Sequence, residues 1–337
     1  MERVEPQSAL QQLTNGYWVT QIIYVAAKLG IADLLHDGPQ DTKTLASATE
    51  THPPSLYRLM RALAGLGLFK ETAPGVFELA DVGRCLVTGS AGSLRARAIL
   101  NGEQWYTAWG GLLESVRTGA TAFDHVTGTS LFEYLGAHPE AAAVFNEAMA
   151  NSTEAAARAV AGAYDFSAAG TVVDVGGGTG MFLAGILTTN PNAHGILFDR
   201  PDVVAAARGV LDRAGLADRC ETIGGNFFDA VPSGGDIYLL SWVIHDWDDE
   251  QSVAILRNCR RAMRPTDRLL VIEQLIPPGN ESSLSKLYDI HMLVLSGGRE
   301  RTEDEYHELL EMADLRLARV IPTDVPRSII EARPASA

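Results

Sequence analysis

Val172-Val173-Asp174-Val175-Gly176-Gly177-Gly178-Thr179-Gly180 decides the fold. It reads as an apolar strand running into a glycine turn and then a helix. Such a turn lets a ligand approach bare backbone N–H groups at a helix N-terminus. Further along, Trp242-Val243-Ile244-His245-Asp246-Trp247 reads as another strand, one that stops at a histidine. In an open α/β sheet both ends face the crevice outside the carboxyl ends of the strands. One element can hold a nucleotide-like ligand and the other can move a proton beside it, a pairing that points to group transfer.

Outward from this stretch, strand candidates fall at 171–175, 195–199, 220–224, 236–242 and 268–273. Helical patterns lie between the first four and before the fifth, the alternation of a doubly wound sheet. Leu315–Ile321 and Ser328–Ala332 are separated only by Pro-Thr-Asp-Val-Pro and flanking residues. So short a link permits only an antiparallel pair, because a parallel return needs a crossover of a dozen or more residues. The expected fold is therefore α/β: a doubly wound, mostly parallel seven-stranded sheet closed by a C-terminal antiparallel hairpin. The glycines run G-x-G-x-G, and Met181 stands where a dinucleotide fingerprint needs a small residue.

Before the sheet, Leu13–Asp37 carries apolar residues at roughly helical spacing, Trp18, Ile22, Ile23 and Val25 among them. Thr44-Leu45-Ala46 opens a short helix, Thr51-His52-Pro53-Pro54 breaks it, and Ser55 caps a second helix running to Leu66. Leu68–Lys70 and Val76–Leu79 flank Ala73-Pro74-Gly75 as a short hairpin. Helix, turn, helix and hairpin together read as a helical, winged-helix-like unit. Helices are expected over roughly 93–118 and 130–162. The domains expected are 1–100 (the winged-helix-like unit), 101–168 (connecting helices contributing to an acceptor pocket) and 169–337 (the catalytic domain).

Bulk properties narrow the function. At 337 residues with 46% hydrophobic content a sizeable core forms. The chain has no run of 18 apolar residues, and Met1-Glu2-Arg3-Val4-Glu5-Pro6 lacks a signal-peptide pattern. Cys85, Cys220 and Cys259 form no C-x-x-C and fit a reducing cytosol, so a cytoplasmic protein away from membranes is expected. Residues 1–100 hold nine basic and nine acidic residues, so the rest of the chain carries the whole net charge of −15. Nucleic acid is not an expected partner.

Asp199 ends the second strand candidate, beyond the glycines. A carboxylate there can accept hydrogen bonds from a ribose diol, or cap the helix that starts at Pro201. Asn226-Phe227 ends the third candidate, and Phe227 offers a face for a purine ring or a side chain for the core.

These segments, with Phe198-Asp199-Arg200-Pro201, Gly224–Phe228, Ser241–Asp249, Val271-Ile272-Glu273 and Ser296–Thr302, give the chain a recognisable pattern. It resembles the plant-type small-molecule O-methyltransferases, such as those acting on caffeate and isoflavones, and their bacterial relatives in aromatic antibiotic pathways. The resemblance covers essentially the whole chain, including an N-terminal winged-helix-like dimerisation domain. It implies S-adenosylmethionine as cofactor, with Gly176 and Gly178 at its methionine part, Asp199 at the ribose, and Asn226 and Phe227 at the adenine. Asn226 stands where many members carry Asp; an amide both donates and accepts, so adenine contact survives. Ser241 takes a cofactor-facing position often held by Lys, which makes that contact shorter and uncharged.

A phenol has a pKa of about 10 and needs a base to become a good nucleophile near neutrality. His245 has the pKa range for that task. In the resembling family the residues matching Glu273 and Glu300 flank the histidine; one carboxylate accepting from an imidazole nitrogen fixes the tautomer and frees the other nitrogen as base. Asp246 is expected to help hold the acceptor hydroxyl. No metal is expected: Asp248, Asp249 and Glu250 fall where carboxylates offset a helix dipole. Trp105, Asn146, Met149, His291, Met292 and Leu295 are candidates for an acceptor pocket, with core packing the competing role for the apolar ones. The reading is an O-methyltransferase acting on an aromatic small molecule in secondary metabolism, a homodimer through its N-terminal domain. C- or N-methylation, or other chemistry on the same cofactor, is the alternative. A winged-helix DNA-binding regulator is a distant third, because the neutral first hundred residues give little footprint for DNA.

Overall fold

The structure, a computed structural model, describes residues 5–335. The signal-peptide reading drew in part on Met1–Val4, which lie outside the described residues. The chain forms two compact units, one taking the chain up to Gly110 together with Val126–Asn151, the other Gly111–His125 together with the chain from Ser152 onward.

In the first unit the helix Gly16–Lys28 buries Ala26 and Ala27 and leaves Tyr17, Trp18 and Val19 exposed. Strand β1 (Gln40–Asp41) precedes the helix Thr42–Ala48, whose start is fixed by Asp41 accepting the Lys43 and Thr44 N–H groups at 2.9 and 3.1 Å. The next helix is Pro53–Gly65, so it opens two residues before the expected Ser55. Proline suits a first turn because its missing N–H would have had no partner there. Ser55 lies inside the helix, its hydroxyl 3.0 Å from His52 Nδ1. Strands β2 (Phe69–Ala73) and β3 (Val76–Leu79) form the expected hairpin, with the sheet ordered β1-β3-β2. Ile31, Leu35, Met60, Leu63 and Phe77 pack its core. The long helix expected over 93–118 is three helices, Arg95–Gly102, Gln104–Trp109 and Leu112–Thr118, interrupted at Glu103 (φ −106°, ψ −101°) and at Gly110-Gly111. That over 130–162 is two, Leu131–Ala137 and Pro139–Ala163, because Pro139 cannot continue the first.

The second unit is built on seven strands: β4 (Thr171–Val175), β5 (His194–Asp199), β6 (Cys220–Gly224), β7 (Ile237–Ser241), β8 (Arg268–Glu273), β9 (Leu315–Pro322) and β10 (Ser328–Pro334). Their order is β6-β5-β4-β7-β8-β10-β9. The first five pair in parallel, and β10 pairs antiparallel with both β8 and β9. Both faces are covered, and strand residues alternate between them. Val172, Leu239, Leu270, Ile272 and Ile329 join one core; Val173, Val175, Leu240, Val271 and Ile330 join the other. Register brings the strand ends together, Val175 opposite Phe198, Asp199 opposite Gly224 and Ser241 opposite Ile272. Every sequence candidate for the site within this sheet leaves a carboxyl end. Among the described residues no helix is long and apolar enough to cross a membrane.

Candidate active site

The glycine turn is shaped residue by residue. Gly176 has φ +71°, and a Cβ there would meet Val243 Cγ2 at 2.9 Å. At Gly177 it would lie 2.4 Å from Leu197 Cδ1 and 2.6 Å from Asp174 Oδ2. Gly178 has φ +57° and opens onto free space, with nothing within 4 Å of its Cβ position. Two of the glycines are thus needed for the turn to pack, and the third leaves a cradle that any side chain would occupy. The Gly176 N–H donates to the Phe198 carbonyl at 2.8 Å, and Gly180 (φ +78°) caps the helix Met181–Thr189.

Asp199 holds this turn. Its Oδ2 accepts from Gly178 N–H at 2.8 Å and its Oδ1 from Arg200 N–H at 2.7 Å. Each oxygen keeps a lone pair for a further donor. Behind it Asp174 is buried, and burial first, then the Asp199 charge, raises its pKa from 3.8 to about 7. Asn226 Oδ1 turns back to accept the Phe228 N–H at 3.0 Å. Phe227 comes close to Gly176, whose Cβ position is 3.5 Å from Phe227 Cε1. Phe227 and Phe228 both meet Trp247 edge to face, with centroids 5.9 and 4.8 Å away. Asn258 donates to both phenylalanine carbonyls at 2.8 Å. The result is an aromatic cluster next to the glycine turn, with Ser241 half-buried at the end of β7. An adenosine-like group with a ribose diol fits this set of donors, acceptors and ring faces.

His245 sits in the short 3₁₀ turn Ile244–Asp246 and is 8% exposed. Its Nδ1 is 3.1 Å from Glu300 Oε1 and 3.7 Å from Glu273 Oε2, and its Nε2 is 3.8 Å from Asp246 Oδ1. Both glutamates are buried, so the structure brings the three expected residues together. Their roles differ. Glu300 is the ring's hydrogen-bond partner. Glu273 spends Oε1 on the backbone, accepting from the N–H groups of Val243 and Ile244 at 3.1 Å and of His245 at 3.4 Å. Burial pulls the imidazole pKa down, but Glu273, the bond to Glu300 and Asp246 outweigh it and raise it from 6.5 to about 9. Burial holds the Glu273 and Asp246 carboxyls above the usual carboxylate range.

The acidic run is occupied by the protein. Asp248 Oδ1 caps the helix Asp249–Ala262 by accepting from Gln251 N–H at 2.8 Å, and Asp249 pairs with Arg299 and Arg301. The acceptor-pocket candidates fall in both units. Trp105 is buried beneath the Arg97 guanidinium, Asn146 is exposed and Met149 half-buried in the first; His291, beside Tyr288, and the buried Met292 and Leu295 lie on Leu284–Leu295 in the second.

Sequence reasoning missed four residues here. Trp242 has φ +55°, unusual for so bulky a side chain, and its ring stacks on His245 with centroids 5.6 Å apart. Arg327 lies 3.5 Å over the Trp242 ring. Trp247 joins the phenylalanines, and Arg301 is fully buried beneath the His245 turn. Trp242 and Trp247 flank the histidine in sequence and could have been read from it; nothing local marks the two arginines.

Comparison with known proteins identifies the family. The family model for the O-methyltransferase domain matches residues 109–316, and that for the O-methyltransferase dimerisation domain matches residues 11–89. A phenazine O-methyltransferase of Lysobacter antibioticus is 50% identical over 327 residues, 97% of this chain and 96% of that one. An 8-amino-8-demethylriboflavin N,N-dimethyltransferase of Streptomyces davaonensis is 38% identical over 320 residues, 94% of this chain and 92% of that one. An O-methyltransferase of neocarzinostatin biosynthesis, solved with S-adenosylmethionine and 2-hydroxy-5-methyl naphthoic acid, superposes with a TM-score of 0.80 at 34% identity, covering 94% of this chain and 96% of that one.

Proposed function

We propose that this chain, which belongs to the O-methyltransferase family, methylates a phenolic hydroxyl of an aromatic small molecule. It is a methyltransferase of secondary metabolism, and its cofactor is S-adenosylmethionine. The observation that carries the hydroxyl reading is His245, buried beside a hydrogen-bonded glutamate in the 3₁₀ turn that follows β7 rather than at the end of the strand itself.

Bound S-adenosylmethionine supplies a methyl group on a positive sulfur. The chain supplies the rest. Gly176 lets the turn pack and Gly178 leaves room in it for the methionine part, Asp199 offers its lone pairs to a diol, Asn226 and Phe227 face the adenine, and Ser241 faces the cofactor from the end of β7. His245 takes the acceptor's proton at Nε2. Glu300 accepts the Nδ1 hydrogen and stabilises the imidazolium that results. Glu273 orders the turn through its three N–H groups, and Asp246 orients the hydroxyl. A base so placed contributes roughly 10²–10⁴-fold. From the second unit His291 and Met292 contact the acceptor, and no metal takes part.

The three-part division at 100 and 168, the winged-helix-like character of the first part and cytoplasmic location belong to the same reading. So does a homodimer, supported by the dimerisation-domain match and by the exposed Leu10, Leu13, Tyr17 and Trp18. A second reading, N-methylation, draws on the flavin N,N-dimethyltransferase relative.

Incubating the protein with methyl-deuterated S-adenosylmethionine and a panel of hydroxylated and aminated aromatics tests the proposal by mass spectrometry. A labelled product whose fragments place the methyl on oxygen supports it. Label found only on nitrogen or carbon overturns it.

A further inference from the structure

The buried Arg301 guanidinium has no counterpart in the chemistry just described, yet it holds the turn that carries His245 from the carbonyl side, as Glu273 holds it from the N–H side. It donates to the carbonyls of Ile244 at 3.1 Å and Trp247 at 2.8 Å, one on each side of His245-Asp246. Nε and Nη2 reach Asp249 Oδ1 at 3.1 and 2.8 Å, at the start of the following helix, and Nη2 lies 3.3 Å from Ser252 Oγ. Its neighbour Arg299 pairs with the other oxygen of Asp249 at 3.3 Å and donates its backbone N–H to the His245 carbonyl at 2.8 Å. Glu300, the residue between the two arginines, has its N–H accepted by Asp289 at 3.0 Å. The loop approaches so closely that a Cβ on Gly298 would stand 2.1 Å from the His245 oxygen.

We infer that Arg301, latched to Asp249, is a positioning residue that sets the distance between Glu300 and His245. The inference rests on His245 as the group that moves the proton. Because Glu300 and Arg301 are consecutive, fixing the guanidinium on the His245 turn fixes the carboxylate one residue away against Nδ1. The arginine serves as a ruler between the loop and the turn. A lysine in its place keeps the charge but has one nitrogen, which cannot serve two carbonyls and a carboxylate with a planar fork's geometry.

The charged and titratable groups facing His245 are Glu273 from β8, Glu300 from the loop and Asp246 from its own turn; the Tyr306 hydroxyl, from the helix Glu303–Met312, is placed near the two glutamates. Only the Glu300 contact depends on the latch, since Glu273 grips the turn separately. Loosening the latch therefore removes one of the interactions that favour the imidazolium, and the pH at which His245 becomes a free base falls.

The test is a double-mutant cycle between Arg301→Lys and Glu300→Gln, read as kcat and as the pH profile of kcat/KM. Arg301→Lys is expected to lower kcat roughly tenfold or more while leaving affinity for S-adenosylhomocysteine within about threefold. The acid limb of the profile moves down by about half a pH unit or more. In the Glu300→Gln background the same change costs much less, because the contact it positions is already gone. Asp249→Asn, which alters the exposed end of the latch, shows the same non-additivity with a smaller loss and decides the question if the lysine variant does not fold. Additive losses with an unmoved acid limb, or full activity in both variants, overturn the inference. Turnover that survives His245→Ala removes the proton-transfer reading itself, a separate outcome.

Discussion

Gly178 and Asp199 are joined directly: the backbone N–H of the glycine donates to Oδ2 of the aspartate at 2.8 Å, where the paired strands β4 and β5 end side by side. The carboxylate expected to face a ribose also shapes the turn that would face the rest of the cofactor. Its other oxygen takes the Arg200 N–H. Asp199→Asn must therefore set an NH₂ against one of two backbone donors. The expected result is roughly tenfold or greater weakening of S-adenosylhomocysteine binding, with about 1–2 kcal/mol lost from the ligand-free protein. Calorimetric binding together with urea unfolding checks both.

Adjacent glycines in the turn separate packing from ligand space. Gly177→Ala forces Leu197 and Asp174 to move and is expected to cost about 2 kcal/mol of stability. Gly178→Ala meets nothing and costs about 1 kcal/mol for its positive φ, but puts a methyl group into the cradle. Thermal melts with and without S-adenosylhomocysteine distinguish them. The first lowers the ligand-free melt more, and the second loses more of the ligand-induced rise.

Asp174 predicts a pH-dependent stability. Its folded pKa of about 7 lies above the ordinary 3.8, so the unfolded chain gives up this proton more readily. The contribution is complete below about pH 4 and is lost as pH rises through 7, on the order of 4 kcal/mol by pH 8. Relative to wild type, Asp174→Asn is expected to gain stability between pH 5 and pH 8. Urea midpoints at those two values check the sign; a constant difference contradicts it.

His245 titrates near 9, so the free base grows about tenfold per pH unit below that value. For a phenol of pKa about 10, kcat/KM should climb with that slope and bend near 9. A bend near 6.5 would mean that the surrounding carboxylates do not hold the imidazolium in the free enzyme.

The sheet was legible because its strands are short apolar runs closed by turn residues, and the β9–β10 link is too short for anything but an antiparallel pair. His245, Glu273 and Glu300 were legible as a group through the resemblance. The division of labour between the glutamates was not, since it depends on which oxygen meets a backbone turn in space. Helix ends failed where a local signal has two readings: Pro53 begins a helix as readily as it ends one, and Ser55 is a good cap one turn too late. Glu103, which interrupts the helices around Trp105, carries no breaking signal itself; the signal is Asn101-Gly102 just before it. Arg301 and Arg327 act on the His245 turn and on Trp242 from distant segments, and no pattern of spacing encodes such contacts.

The central claim is that one buried histidine moves the acceptor's proton at a cofactor site that stands without it. Steady-state methyl transfer and S-adenosylhomocysteine affinity, measured side by side for wild type and His245→Gln, test it most directly. The account predicts turnover lower by roughly 10²–10⁴-fold with affinity changed by no more than about twofold. Turnover within tenfold of wild type, or an equal loss of turnover and affinity, would contradict it.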